Sequence, residues 1–328
     1  MKVLALIEYI SDSDLAPAYQ IVQELGGEIL RPNMSLPAAE RTAQGLEMMG
    51  QADAMLASRF GEEHLKRAEK LRWIHSPMAG VNHLLIPALV KSPIVLTNGA
   101  GMNAIPIAEH VFGLLLAFTR RLAVFHTLQK EARWQMQQEA EELYGRTLGI
   151  VGYGSIGREI ARIAKGFGMQ VWATKRNPGD PATAKDPHLD RTLPPAQLHQ
   201  LLSQADFVVL STALTPETEN MIGAAELAVM KPTAYLINIA RGQLIQEAAL
   251  LEALQEGKIA GAGLDVVVQE PLPPDSPLWK APNLLITAHS SWASPHVRGR
   301  NVQLFCDNLR RFAAGQPLLN IVDKELGY

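Results

Sequence analysis

The chain has 328 residues. At about 150 residues per domain, that length implies two domains, each able to bury its own core. A composition of 47% hydrophobic and 19% charged residues is globular, and 30 basic against 33 acidic side chains provide no cationic excess for nucleic-acid binding. The single cysteine, Cys306, rules out an intramolecular disulfide framework and any multi-cysteine zinc site, and no His-Glu-x-x-His motif argues for metal catalysis.

In chain order, residues 3–7 form an apolar run too short for a signal-peptide core and read as a first buried strand. Further strand-like pieces are 54–57, 73–75 and 94–97, with helical patterns at 15–25 and 38–49. Alternating strands and helices predict a small α/β domain with a parallel sheet. Residues 105–120 read as a mostly buried helix and 124–142 as a more polar one. The greasiest stretch, 111–118, is far below the roughly 18–20 apolar residues that span a bilayer. A cytoplasmic protein without membrane contact is the expectation.

A second block carries apolar runs at 148–151, 171–173, 207–210, 235–239, 263–268 and 284–287. Helical segments at 155–167, 195–204, 224–230 and 247–256 separate them. Six strands with mostly helical crossovers predict a doubly wound dinucleotide-binding sheet. The tail, 292–314, is helical and could return to the first block. The expected division is a substrate domain of 1–99 and 293–328 and a dinucleotide-binding domain of 100–292.

The run Gly152-Tyr153-Gly154-Ser155-Ile156-Gly157 follows a strand and opens a helix. In that context the glycines serve the tight turn, the approach of a pyrophosphate and close helix–strand packing. The helix N-terminus adds unpaired N–H groups and a positive dipole end. About twenty residues further on, an NAD site would place an acid on the ribose. Here Thr174, Lys175 and Arg176 stand instead, with no acid before Asp180. Two consecutive cations suit a 2′-phosphate; the bland alternative is a solvated basic strand end.

Three residues follow successive strands: Arg241, Glu270 and His289. Strand carboxyl ends line the ligand crevice of an open α/β sheet, so all three are candidates to meet a bound nicotinamide. Singly they read as a turn, a loop and a structural histidine. At one edge of one sheet they form a constellation.

These motifs resemble the D-isomer-specific 2-hydroxyacid dehydrogenase family. The resemblance rests on the glycine loop, Asn238-Ile239-Ala240-Arg241-Gly242, the segment Asp265 to Leu272, and His289. It extends to Pro77-Met78-Ala79-Gly80-Val81, Ala108-Glu109-His110 and the Leu214 to Thr218 segment. It implies a flavodoxin-like domain, a Rossmann-like domain, a cleft between them and a homodimer. It implies His289 as general acid toward the substrate carbonyl, with Glu270 on the other imidazole nitrogen favouring the imidazolium. It also implies Arg241 on the substrate carboxylate, where a planar bidentate donor outperforms Lys, joined by Ala79 and Gly80 backbone N–H groups. Met78 and Trp292 would shape the substrate pocket. Thr212, Ala240, Asp265, His289 and Ser291 would join the glycine loop and residues 174–176 around the cofactor.

Lys175 departs from the Asp that NAD-dependent members commonly carry. NADP(H) is therefore the expected cofactor, with NAD(H) possible. The expected reaction is reduction of a small 2-oxoacid, glyoxylate or hydroxypyruvate, to the D-2-hydroxy acid. Alternatives are bulkier 2-oxoacids with the same mechanism, formate or phosphite oxidation on this scaffold, and a non-catalytic nucleotide-sensing protein. The first three need turnover, and the last needs only binding. A homodimer is expected from the resemblance and from the long polar helix over 124–142, with Trp134 within it and Leu143 just after it poorly explained by a single chain.

Overall fold

The computed structural model describes residues 1–136 and 140–327. The chain divides into two units, Met1–Asn103 with Ser294–Tyr328, and Ala104–Ala293.

The first unit begins with β1 (Lys2–Leu6), α1 (Asp12–Glu24), β2 (Glu28–Leu30), α2 (Ala38–Met49) and β3 (Ala54–Ala57). It continues through α3 (Glu62–Arg67), β4 (Trp73–His75), α4 (Pro87–Val90) and β5 (Val95–Thr97). All pairings are parallel, in the order β2-β1-β3-β4-β5. That is the flavodoxin-like order. The period-2 alternation of a strand explains how both faces are buried. Val3, Ala5, Ala54, Leu56 and Trp73 enter one apolar cluster, while Leu4, Met55, Ala57 and Ile74 enter the other. Ser11 starts α1 with a reciprocal cap: its hydroxyl accepts from the Asp14 N–H, and its own N–H donates to the Asp14 carboxylate.

The second unit contains α5 (Ala104–Thr119), α6 (Leu122–Lys130), β6 (Thr147–Val151), α7 (Ser155–Gly166), β7 (Gln170–Thr174) and α8 (Pro181–Ala184). Then come β8 (Arg191–Leu193), α9 (Leu198–Gln204), β9 (Phe207–Leu210), α10 (Ala224–Val229) and β10 (Tyr235–Asn238). It closes with α11 (Glu247–Gln255), β11 (Gly261–Leu264) and β12 (Leu284–Ile286). The seven strands, all parallel, run β12-β11-β10-β9-β6-β7-β8. Strand order reverses beside β6, which places the ligand crevice outside the carboxyl ends of β6 and β9. The last helix, α12 (Val297–Ala313), packs on α1 in the first unit through Val302, Phe305 and Leu309.

Three expectations change. Each sheet has one edge strand more than expected, β2 in the first and β8 in the second. The polar helix expected over 124–142 is observed as α6, which stops at Lys130; residues 137–139 lie outside the described residues. Leu143 is 4% exposed and packs in the second unit's core with Leu148 and Tyr153, so a single chain does explain it. Trp134, by contrast, is 100% exposed.

Candidate active site

The phosphate loop is built by close backbone approach. Gly152 takes a left-handed φ of 95°, and a Cβ there would lie 2.8 Å from the Thr212 backbone. A side chain at Gly157 would strike the Gly152 carbonyl at 2.6 Å. Gly154 differs from both: it is the N-cap of α7, has no side-chain cap, and a Cβ would meet nothing within 4 Å. This open cradle before the uncapped first turn of a twelve-residue helix fits a pyrophosphate. The Ser211 hydroxyl donates to the Gly152 carbonyl at 2.7 Å, tying the loop to the end of β9.

Other residues expected around the cofactor have structural partners. Thr174 is buried, and its hydroxyl accepts from the Gly152 N–H at 3.2 Å, so it holds the loop. Tyr153 is 3% exposed; its hydroxyl donates to Asp186 at 2.9 Å, and burial together with that bond raises the phenol pKa. Arg158 joins the same carboxylate at 2.7 Å. The Lys175 ammonium donates to Asp180 Oδ2 at 2.6 Å and Thr183 Oγ1 at 2.5 Å. Arg176 is exposed at the end of β7. Asp180, Thr183 and Asp186 were not legible as partners because they sit in and around the single short turn of α8, which has no periodic pattern of its own.

At the opposite side of the switch point, Arg241 follows β10, exposed, with Nη1 donating to the Ala240 carbonyl at 2.6 Å. Asn238 fixes this turn, donating to the Arg241 carbonyl and accepting from the Ala240 N–H. The glycine after the arginine is required by packing. A Cβ on Gly242 would lie 2.0 Å from the Val267 carbonyl carbon.

His289 Nδ1 and Glu270 Oε2 are 2.7 Å apart. The second Glu270 oxygen accepts from the Val267 N–H at 3.2 Å, which sets the carboxylate's orientation. With Nδ1–H donating to Glu270, His289 Nε2 is the nitrogen left to exchange a proton. The side chains are 44% and 38% exposed. An ion pair that exposed contributes only about 0–1 kcal/mol to stability, so stability gives little reason for its geometry.

The His289 backbone is itself constrained, at φ 49°. Its N–H donates to the Asp265 carbonyl at 2.8 Å, and the Trp292 indole N–H donates to the His289 carbonyl at 2.9 Å. The Asp265 carboxylate accepts from the Thr287 hydroxyl and the backbone N–H groups of Ser290 and Ser291. Burial penalises its charge, but those bonds outweigh the penalty and hold the carboxyl below its usual range. The second unit thus gathers Asp265, Glu270, His289, Ser291 and Trp292 on the ends of β11 and β12. Met78, Ala79 and Gly80 belong to the first unit, on the turn after β4, where Met78 and Ala79 are exposed. His110 and Thr287, which the sequence reading gave no role, also reach Asp265.

Comparisons with known proteins identify the family. The family model described as "D-isomer specific 2-hydroxyacid dehydrogenase, NAD binding domain" matches residues 112–291. A glyoxylate reductase of Korarchaeum cryptofilum is 37% identical over 278 residues, covering 83% of this chain and 82% of that protein. A crystal structure of a D-isomer specific 2-hydroxyacid dehydrogenase family protein from Aeromonas salmonicida superimposes with a TM-score of 0.80 at 35% identity, covering 98% and 99% of the two chains. The NADPH-dependent glyoxylate/hydroxypyruvate reductase of Sinorhizobium meliloti, in complex with NADP and sulfate, superimposes at 0.80 with 28% identity over 100% and 99%. The chain belongs to the D-isomer-specific 2-hydroxyacid dehydrogenase family and is an NAD(P)-dependent oxidoreductase.

Proposed function

We propose that this enzyme reduces glyoxylate or hydroxypyruvate to the D-2-hydroxy acid, prefers NADPH, and uses His289 as the general acid. The observation that carries this reading is the His289–Glu270 pair at 2.7 Å, on a loop anchored by Asp265. When bound, the nicotinamide supplies the hydride. His289 Nε2 gives a proton to the carbonyl oxygen as negative charge builds there, and Glu270 stabilises the imidazolium until then. Arg241 holds the carboxylate as a planar fork. Trp292 limits the size of the substrate side chain. The glycine loop, Thr212, Ala240 and Ser291 border the cofactor. The Korarchaeum and Sinorhizobium relatives, named for glyoxylate, support this substrate class.

The cofactor preference rests on Lys175 and Arg176. A charge-assisted hydrogen bond is worth roughly 1.5–3 kcal/mol, and 1.4 kcal/mol is about tenfold in affinity. Asp180 and Thr183 already bind Lys175, so a 2′-phosphate must compete with them for the ammonium. Exposure and salt weaken the contact further. The expected result is about tenfold higher kcat/KM with NADPH than with NADH. The double variant Lys175→Asp, Arg176→Ala should lose NADPH efficiency far more than NADH efficiency. A wild-type preference for NADH would overturn the phosphate site.

A homodimer is part of the same proposal. Trp134, Met136 and Tyr144 are exposed on one chain, which favours a covering partner copy. Sedimentation at micromolar concentration should give a species of twice the 35.8 kDa chain mass. A monomer as the sole species would overturn it.

A further inference from the structure

We propose that His110 is a positioning residue for the reduction, acting on His289 through the Thr287 hydroxyl and the Asp265 carboxylate. The inference rests on the reading of His289 as proton donor.

His110 lies on α5, and Asp265 and Thr287 follow the adjacent parallel strands β11 and β12. Leu264 and Ile286 are register partners, so the next residues on both strands emerge side by side. Thr287 Oγ1 lies 2.7 Å from Asp265 Oδ1 and 2.9 Å from His110 Nε2. His110 Nε2 is also 3.8 Å from Asp265 Oδ1.

The chemistry of these groups fixes the direction of each hydrogen bond. A carboxylate only accepts, so the Thr287 hydroxyl must give its one hydrogen to Asp265. The hydroxyl oxygen can then only accept from His110, whose Nε2 must carry a proton. His110 therefore prevents the Thr287 hydroxyl from turning elsewhere. With the hydroxyl fixed, Asp265 Oδ1 is fixed, and both its oxygens remain aimed at the N–H groups of Ser290 and Ser291. Those two residues immediately follow His289, whose left-handed φ of 49° is uncommon for a non-glycine residue and needs its surroundings to hold it. The chain of contacts runs from a helix side chain to the backbone of the proposed proton donor. None of its bonds touches the substrate carbonyl, which makes the role one of position.

Position matters because a misplacement of about 1 Å far from the chemistry can cost about a hundredfold in rate. The test uses the full chain with saturating NADPH and hydroxypyruvate. It compares His110→Leu, His110→Gln, Thr287→Val and the double variant His110→Leu, Thr287→Val. Glutamine places an amide N–H near the position of the histidine Nε2–H, so His110→Gln should recover most of the kcat. His110→Leu should lose about tenfold to a hundredfold in kcat with NADPH saturating. Thr287→Val should lose a similar factor, and the double variant should be no worse than the poorer single one. Wild-type kcat in His110→Leu, equal impairment of His110→Gln and His110→Leu, or multiplying losses in the double variant would each overturn the proposal. His289→Asn is measured alongside. If it keeps full activity, the proton-donor reading fails and takes this inference with it. If it is inactive while His110→Leu is normal, only this inference fails.

Discussion

Replacing His289 with Asn should lower kcat by about 10²–10⁴-fold while leaving the Kd for the cofactor near its wild-type value. Asparagine can keep a donor toward Glu270 but cannot carry and release a proton at the position of Nε2. The expected split follows from where His289 is tied. Its contacts run to Glu270, Asp265 and Trp292, whereas the phosphate loop is held by Thr174 and Ser211. Losing the acid should therefore leave the pyrophosphate cradle intact. A variant that retained half the wild-type kcat would remove His289 from the chemistry.

The second large effect is expected at Arg241. Arg241→Lys keeps the charge but loses the planar fork that matches a carboxylate. One lost charge-assisted hydrogen bond of roughly 1.5–3 kcal/mol corresponds to about ten- to a hundredfold in kcat/KM. The competing explanation is structural, since Arg241 bonds the Ala240 carbonyl and its own carbonyl accepts from Asn238. Kinetics separate the two. A structural arginine would show unchanged kcat/KM on Lys substitution if the turn survives, because the Asn238 bonds involve only backbone at 240 and 241. A substrate-binding arginine would also make 2-oxo compounds without an acid group poor substrates, compared with their acid counterparts.

The sequence was most informative where geometry is local. Residues 152–157 join the end of β6 to the first turn of α7; close neighbours account for Gly152 and Gly157, while Gly154 faces open space at the helix N-cap. The strand-end residues were legible too, because strand carboxyl ends in a doubly wound sheet share one edge. Short edge strands were harder to see. β2 and β8 each open on a charged, exposed residue, Glu28 and Arg191, so neither shows the apolar run that marks the equally short β4 and β12, and six strands were expected where the second sheet has seven. Side-chain pairing across loops was not legible. Lys175 read as a cation at the end of a strand, and only the fold brings Asp180 and Thr183 onto it. His110 stood within a family motif without a role, because its partner Thr287 is 177 residues away.

On the proposed mechanism, a hydride and a proton arrive at one 2-oxoacid carbonyl, the hydride on one face only. Hydroxypyruvate tests it most directly, because its reduction creates a stereocentre and glyoxylate's does not. Purified enzyme, NADPH and hydroxypyruvate should consume the reduced cofactor and the oxoacid one for one, and chiral analysis should find D-glycerate. No cofactor oxidation despite NADPH binding, or accumulation of L-glycerate, would overturn reduction to the D-2-hydroxy acid.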